Sequence, residues 1–225
     1  MPKIVVLSLG GSLIVPGSYD VDFLRKFKKL IESYVKKGHK FAIICGGGKL
    51  ARNIQEAAAK IKKLSNEELD WLGIHATELN AQLVKEIFRE NAESFIISNP
   101  KIKFSFNKGI VIASGWIPGW STDYDAVLLA KNLGAKELVN MSNVDYLYNK
   151  DPKKHSSAKK IEKISWSDFR KMMGSKWKAG LSVPFDPIAA KEAQQSGIRV
   201  NIIGKDLINL RNLLERKKFK GTLIQ

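Results

Sequence analysis

Three consecutive glycines, Gly46-Gly47-Gly48, close the apolar run Lys40-Phe41-Ala42-Ile43-Ile44-Cys45 and lead straight into Lys49-Leu50-Ala51-Arg52. A buried strand that breaks at glycine and reopens as a helix is the repeating joint of an α/β chain. This stretch therefore narrows the fold before any other does. Glycine has no Cβ, which lets backbone N–H groups come close to a ligand and makes positive φ cheap. A helix starting there aims N–H donors and the positive end of its dipole at one spot, a setting that suits a phosphate. Arg52, one helical turn beyond Gly48, can reach back as a planar bidentate donor. The same residues also fit a tight strand-to-helix turn followed by a solvated arginine.

The rest of the chain repeats the joint. Apolar runs at Ile4–Leu9, Phe41–Cys45, Phe95–Ser98, Ile110–Ser114, Leu138–Met141, Val200–Ile203 and Thr222–Ile224 read as strands. Helical-period stretches lie near Val21–Lys36, Lys49–Lys62, Glu67–Glu90, Asp123–Leu133, Ser165–Met173, Pro187–Gln195 and Leu207–Arg216. Near-continuous apolar strands with helices between them predict a parallel sheet covered on both faces. The expected fold is an α/β three-layer αβα sandwich around a mainly parallel open sheet. No repeat or linker divides the 225 residues, so 1–225 reads as one domain. Ser65 or Asn66 is placed to cap one helix, and Pro187 suits the first turn behind Asp186.

The longest apolar runs, Phe41–Cys45 and Ala126–Ala130, hold five residues, short of the roughly 20 that span a bilayer. The first residues have no signal-peptide layout. The single cysteine, Cys45, excludes an internal disulfide, suits a reducing cytoplasm and reads as core. Lys+Arg 38 against Asp+Glu 22 gives a net charge of +16. The excess is mostly lysine, spread over several helical stretches without an aromatic-interleaved stripe. It reads as solvated helix faces, with neither nucleic acid nor membrane as main partner.

In open parallel sheets ligands gather at the carboxyl ends of strands. Here those ends carry Gly10-Gly11-Ser12, Gly46-Gly47-Gly48, Gly115 and Ser142-Asn143-Val144-Asp145. Gly10-Gly11-Ser12 is either a second anion hole facing the first or an ordinary turn. Neither a Walker A pattern nor a dinucleotide G-x-G-x-x-G is present, which argues against a P-loop kinase and a Rossmann oxidoreductase. Asp123 stands at a helix entrance, with Thr122 as candidate cap, and Asp186 repeats that arrangement at a second helix. Each fits an N-cap; as a pair beside two anion holes they suit phosphoryl transfer, where positioning and charge neutralisation do most of the work. His39, His75 and His155 have no metal-site spacing. Trp116 and Trp120 stand out among the tryptophans because their loop runs into Asp123.

Taken in order, these elements resemble the amino acid kinase superfamily, and within it the archaeal-type UMP kinases. The likeness rests on Leu9-Gly10-Gly11-Ser12-Leu13-Ile14-Val15-Pro16, on Gly46 through Arg52, and on Asp70-Trp71-Leu72-Gly73-Ile74-His75-Ala76-Thr77 with Asn80-Ala81. It continues through Thr122-Asp123, Asn143-Val144-Asp145 with Tyr148 and Asp151-Pro152, and Phe185-Asp186-Pro187-Ile188-Ala189-Ala190-Lys191. It implies transfer of the ATP γ-phosphate to UMP. By that likeness Gly47, Gly48 and Arg52 would hold the UMP phosphate or the group in transit, and Asp70 the uridine end. Gly115, Trp116, Ile117, Pro118, Gly119, Trp120, Ser121 and Thr122 would close over the nucleoside. Gly10, Gly11 and Ser12, with Gly48 and Arg52, would cradle ATP phosphates, while Asn143, Tyr148 and Asp151 would frame the adenosine. Asp123 and Asp186 would order the charged groups around the transferring phosphate and Mg²⁺, an ion held mainly by the nucleotide phosphates. The UMP-side half would run from about 1 to 135 and the ATP-side half from about 136 to 225. The likeness also implies a hexamer, a trimer of dimers, built through the helix after Gly46–Gly48. There Ile54, Ala57, Ala58 and Ile61 recur at helical spacing.

Two departures stand out. Ser8 occupies the position where many superfamily members carry a lysine that neutralises the γ-phosphate, and Lys49 is the candidate substitute. Tyr146 replaces the glycine of the family's N-V-D-G turn, which predicts a reshaped ATP pocket. A sister kinase acting on another small phosphate, such as isopentenyl phosphate, and a non-catalytic oligomer that binds a nucleotide or oxyanion are the competing readings. Arg52 and Asp70 favour a nucleotide.

Overall fold

The computed structural model describes residues 4–150, 155–173 and 185–225. Its strands are β1 (Ile4–Leu9), β2 (Lys40–Cys45), β3 (Ala92–Ile97), β4 (Ile110–Ala113), β5 (Glu137–Met141), β6 (Leu147–Tyr148), β7 (Lys160–Ile161), β8 (Lys163–Ile164), β9 (Arg199–Ile203) and β10 (Thr222–Ile224). Its helices are α1 (Gly11–Ile14), α2 (Val21–Val35), α3 (Gly48–Ile61), α4 (Asn66–Ile87), α5 (Thr122–Asn132), α6 (Trp166–Met173), α7 (Pro187–Gln195) and α8 (Leu207–Leu214).

Eight strands form one sheet in the order β3-β4-β2-β1-β5-β9-β10-β8. Its pairs are parallel except β10, which returns antiparallel to β9. β6 and β7 pair separately as a small antiparallel ladder, inside a stretch whose sequence reads as a long loop. The central strands are buried on both faces, and the two-residue period of a strand divides their side chains between two cores. Leu7, Leu9, Phe41, Ile43 and Ile112 pack with Phe27, Ile31, Val84 and Leu210 of α2, α4 and α8 and with Phe88 at the end of α4. Val6, Ala42, Ile44, Leu138 and Val200 pack with Val127, Leu129, Phe169, Ala189 and Ala193 of α5, α6 and α7. The result is a three-layer αβα sandwich around a mainly parallel sheet. Cys45 lies in the first core, where burial pushes its thiol far up and leaves it inert.

Helix starts follow local chemistry. Ser65 begins α4 with a capping box: its Oγ accepts from the Glu68 N–H at 3.2 Å and its own N–H donates to Glu68 Oε2 at 2.7 Å. At α5 the cap is Ser121, whose Oγ accepts from the Tyr124 N–H at 3.2 Å, and Thr122 is the first helical residue. This corrects the expected Thr122 cap. The extended backbone that a cap requires falls one residue earlier, at Ser121.

Candidate active site

The two glycine turns at the carboxyl edge of the sheet lie back to back. The Gly10 N–H donates to the Met141 carbonyl at 2.8 Å and the Gly46 N–H to the Leu9 carbonyl at 3.0 Å, fixing both turns to the central strands. A Cβ placed on Gly11 would lie 2.1 Å from the Gly48 nitrogen, and one on Gly48 would lie 2.1 Å from the Gly11 oxygen. Gly48 also has φ +63°, a left-handed conformation that glycine adopts freely. Only glycine permits this contact. Strand β1 and strand β2 are adjacent and in parallel register, which is why the two turns meet.

Gly47, Gly48 and Arg52 share one cleft with Asp70, Gly73 and Thr77 of α4 and with Gly115, Trp120 and Thr122. Lys49 stands at the same helix start, yet its side chain is absent from the lining. Its N–H donates to the Val15 carbonyl at 3.1 Å and its ammonium lies 4.0 Å from the Glu56 carboxylate. The loop over the cleft is held by its own backbone donors. Gly115 N–H donates to Thr77 Oγ1 at 2.8 Å, Trp116 N–H to Asp125 Oδ2 at 3.1 Å, and Gly119 N–H to Asp70 Oδ2 at 2.8 Å. Ile117 and Pro118 form the bend before Gly119, whose φ is +85°. Trp120 stacks on Tyr124 with ring centroids 4.2 Å apart, and Lys101 Nζ sits 4.8 Å from the centroid of the Trp116 ring.

Behind the glycine turns, α5 and α7 bring Asp123 and Asp186 together across 63 residues: the Asp186 N–H donates to Asp123 Oδ2 at 3.2 Å. Asn140 Nδ2 donates to Asp123 Oδ1 at 3.0 Å, and the Ser8 hydroxyl also bonds to that carboxyl. Asp186 caps α7, with Oδ1 accepting from the Ile188 N–H at 2.7 Å, while Oδ2 accepts from the Ser121 hydroxyl. Burial, and then the neighbouring Asp186 carboxylate, push Asp123 up to about 7. Burial raises Asp186 as well. Ser8 thus turns the missing-lysine position into a hydroxyl that serves Asp123. Among the described residues no group of three His, Cys, Asp or Glu side chains could hold a metal ion.

A second cleft lies on the other side of Gly11. Ser12, Asn143, Asp145, Lys205 and Asp206 line it. Tyr148 is half-buried in β6, and Asp151, expected at the adenosine, lies outside the described residues. Tyr146 occupies the family's glycine position without strain, since Arg216 alone among the described non-glycine residues has positive φ. The Lys160 ammonium sits 4.9 Å from its ring centroid.

Thr77 and Asn80 entered the sequence reading only as motif residues without a role, and Gln55 and Asp125 were not singled out. For Thr77 a signal existed: Asp70, Gly73, Ile74 and Thr77 follow the i, i+3, i+4, i+7 spacing of one helix face, and all four line the cleft.

Back-to-back glycine turns on a parallel sheet edge, with an arginine beside one and paired carboxylates behind, define an α/β protein whose polar and charged groups gather at the carboxyl ends of its strands. The pattern of the amino acid kinase family matches residues 3–204, and the chain belongs to that family. It is 39% identical to a uridylate kinase of Pyrococcus abyssi over 98% of this chain and 99% of that one. A crystal structure of uridylate kinase from Archaeoglobus fulgidus superposes with a TM-score of 0.82 at 31% identity, covering 99% of this chain and 100% of that one. A UMP kinase structure from Ureaplasma parvum, at 20% identity and a TM-score of 0.79 over 100% of this chain and 99% of that one, shares the fold.

Proposed function

We propose that this chain is a UMP kinase, transferring the γ-phosphoryl group of ATP to UMP to give ADP and UDP. The observation that carries the reading is the contact of Gly11 with Gly48, which sets the two glycine turns against each other; on this reading each turn cradles a phosphate. Its length-wide likeness to uridylate kinases names the acceptor. The nucleophile is a UMP phosphate oxygen, anionic at neutral pH, so no side chain need remove a proton. The protein's work is to hold two nucleotides in line and offset their charge.

In this reading the half up to about residue 135 takes UMP. Gly47, the start of α3 and Arg52 hold its phosphate, and Asp70 with the Gly115–Thr122 loop holds the nucleoside. The remainder takes ATP at Ser12 and Asn143, with Gly10 and Gly11 at its phosphates. Lys49 is the cation that completes neutralisation, swinging from Glu56. Asp123 and Asp186 spend their oxygens on Ser8, Asn140, Ser121 and backbone donors. They do not form a cage for a divalent ion, and the Mg²⁺ that accompanies ATP stays on the nucleotide phosphates. The enzyme works in the cytoplasm as a hexamer, a trimer of dimers joined through α3.

Coupled assays with UMP, CMP, AMP and isopentenyl phosphate as acceptors test this. UMP is expected to be turned over fastest. Preference for isopentenyl phosphate would make the protein a sister kinase, and tight UMP binding without turnover would make it a nucleotide-binding oligomer.

A further inference from the structure

Each N–H donor in the acceptor-side turn is aimed by the carbonyl of its own peptide. In a trans peptide the N–H and the C=O point in opposite directions, and the described residues contain no cis peptide. The Gly47 N–H therefore faces away from wherever the Gly46 oxygen is held, and the Gly48 N–H away from the Gly47 oxygen. One side chain holds both oxygens. Asn80, wholly buried in α4, donates from Nδ2 to the Gly46 carbonyl at 2.8 Å and to the Gly47 carbonyl at 3.2 Å.

The amide orientation is forced. Its flipped form would set Oδ1 against two carbonyl oxygens, with no hydrogen to share. As it stands, Oδ1 is buried without a partner, an arrangement that stability alone disfavours. Neither the Gly47 nor the Gly48 N–H has an acceptor among the described residues. Asn80 thus accepts a cost in the interior while the two N–H groups of the same peptides point away from it, the Gly48 nitrogen packed beside Gly11.

We propose that Asn80 is a positioning residue for the phosphate of the acceptor nucleotide, aiming the Gly47 and Gly48 N–H groups at it. This rests on the UMP kinase reading of the cleft. A leucine of similar size would fill the space and release both carbonyls; a serine could still hold one.

The test compares Asn80→Leu and Asn80→Ser with wild type in the full chain, using UMP as substrate and uridine, which lacks the phosphate, as competitive inhibitor. Asn80→Leu is expected to raise KM for UMP at least about tenfold, and Asn80→Ser less. Inhibition by uridine should stay within about twofold and KM for ATP unchanged. Parallel weakening of UMP and uridine, or an unmoved UMP KM, overturns the proposal. Should circular dichroism show Asn80→Leu unfolded, the same comparison on Asn80→Ser decides. A wild type that leaves UMP unphosphorylated refutes the kinase reading instead. Inorganic phosphate binding then tests the turn: weaker binding to Asn80→Ser is expected, and equal binding overturns the role of Asn80.

Discussion

Asp125 has no exposed surface, and only one of its carboxyl oxygens has a partner, the Trp116 N–H at 3.1 Å. Burial, outweighing that hydrogen bond, pushes the carboxyl up to about 8, with Asp123 and Asp186 adding to the rise. The unfolded chain releases the same proton near the ordinary aspartate value of about 4. Between those values the folded protein holds a proton that the unfolded chain has lost. The group's contribution to stability is therefore full below about pH 4 and drains away as pH rises through about 8. Asp125→Asn removes the titration and keeps an acceptor for Trp116. From about pH 5 to about pH 8.5 the wild-type melting temperature is expected to fall relative to the variant by several degrees. Scanning fluorimetry at matched ionic strength measures the difference; parallel curves would refute it. Asp123 and Asp186 titrate in both proteins, and since each raises Asp125 the difference reads Asp125 together with its coupling to that pair. Nothing in the sequence marks this residue, because an aspartate in a helix's first turn is common. Its one hydrogen bond comes from a residue nine positions earlier, Trp116 in the loop before α5.

At the level of elements, α1 and α3 begin where two backbones touch, and a methyl group on Gly11 would enter the peptide of Gly48. Strands β1 and β2 hold both turns, so neither can retreat. Gly11→Ala is expected to cost about 3 kcal/mol and to abolish turnover. Gly17, with nothing within 4 Å of an added Cβ, is the control, where alanine should change stability by less than about 0.5 kcal/mol. Urea denaturation of the two variants checks this, and equal midpoints would show that the turns do not abut. These turns were legible in sequence because strand, glycine and helix start are contiguous. So were β1, β2, β5, β9 and β10, whose apolar runs locate them to within a residue. Edge strand β3 starts earlier than its apolar run suggests, at Ala92-Glu93-Ser94, because an edge tolerates polar residues. Helix α1 has four residues and no side-chain cap, and β6 to β8 have two residues each. Pairing defines such pieces, and composition carries no trace of them. The same limit hid the site's long-range contacts. Thr77 with Gly115, Asp70 with Gly119 and Asp123 with Asp186 lie 38, 49 and 63 residues apart, distances that only the sheet order closes.

Considered as a whole molecule, the sandwich leaves one helix outside its layers. α3 is amphipathic, yet none of its 14 residues is buried, and Ile61 is 88% exposed. Gln55 Nε2 ties it to α4 through the Leu69 carbonyl at 2.8 Å, while Ile54, Ala57, Ala58 and Ile61 form an apolar stripe in which Ala57 and Ile61 are exposed and Ile54 and Ala58 half-buried. The start of that helix carries Gly48 and Arg52, so whatever covers the stripe also steadies the cleft those residues line. A second copy is the cover expected from the dimer reading, although +16 charges on each chain oppose it. Salt distinguishes the forces involved. Above about 0.5 M the screening length falls to a few ångströms, which relieves like-charge repulsion and leaves apolar burial intact. An apolar α3 interface should therefore hold or tighten in salt, whereas one made of ion pairs should loosen. Light scattering at micromolar concentration is expected to give a multiple of 25.2 kDa, with Ala57→Glu combined with Ile61→Glu shifting the mass toward one chain and lowering turnover. A wild type of 25.2 kDa, or a doubly substituted protein that keeps its assembled mass, would leave the stripe without a second copy and remove α3 as the contact from which a hexamer is built.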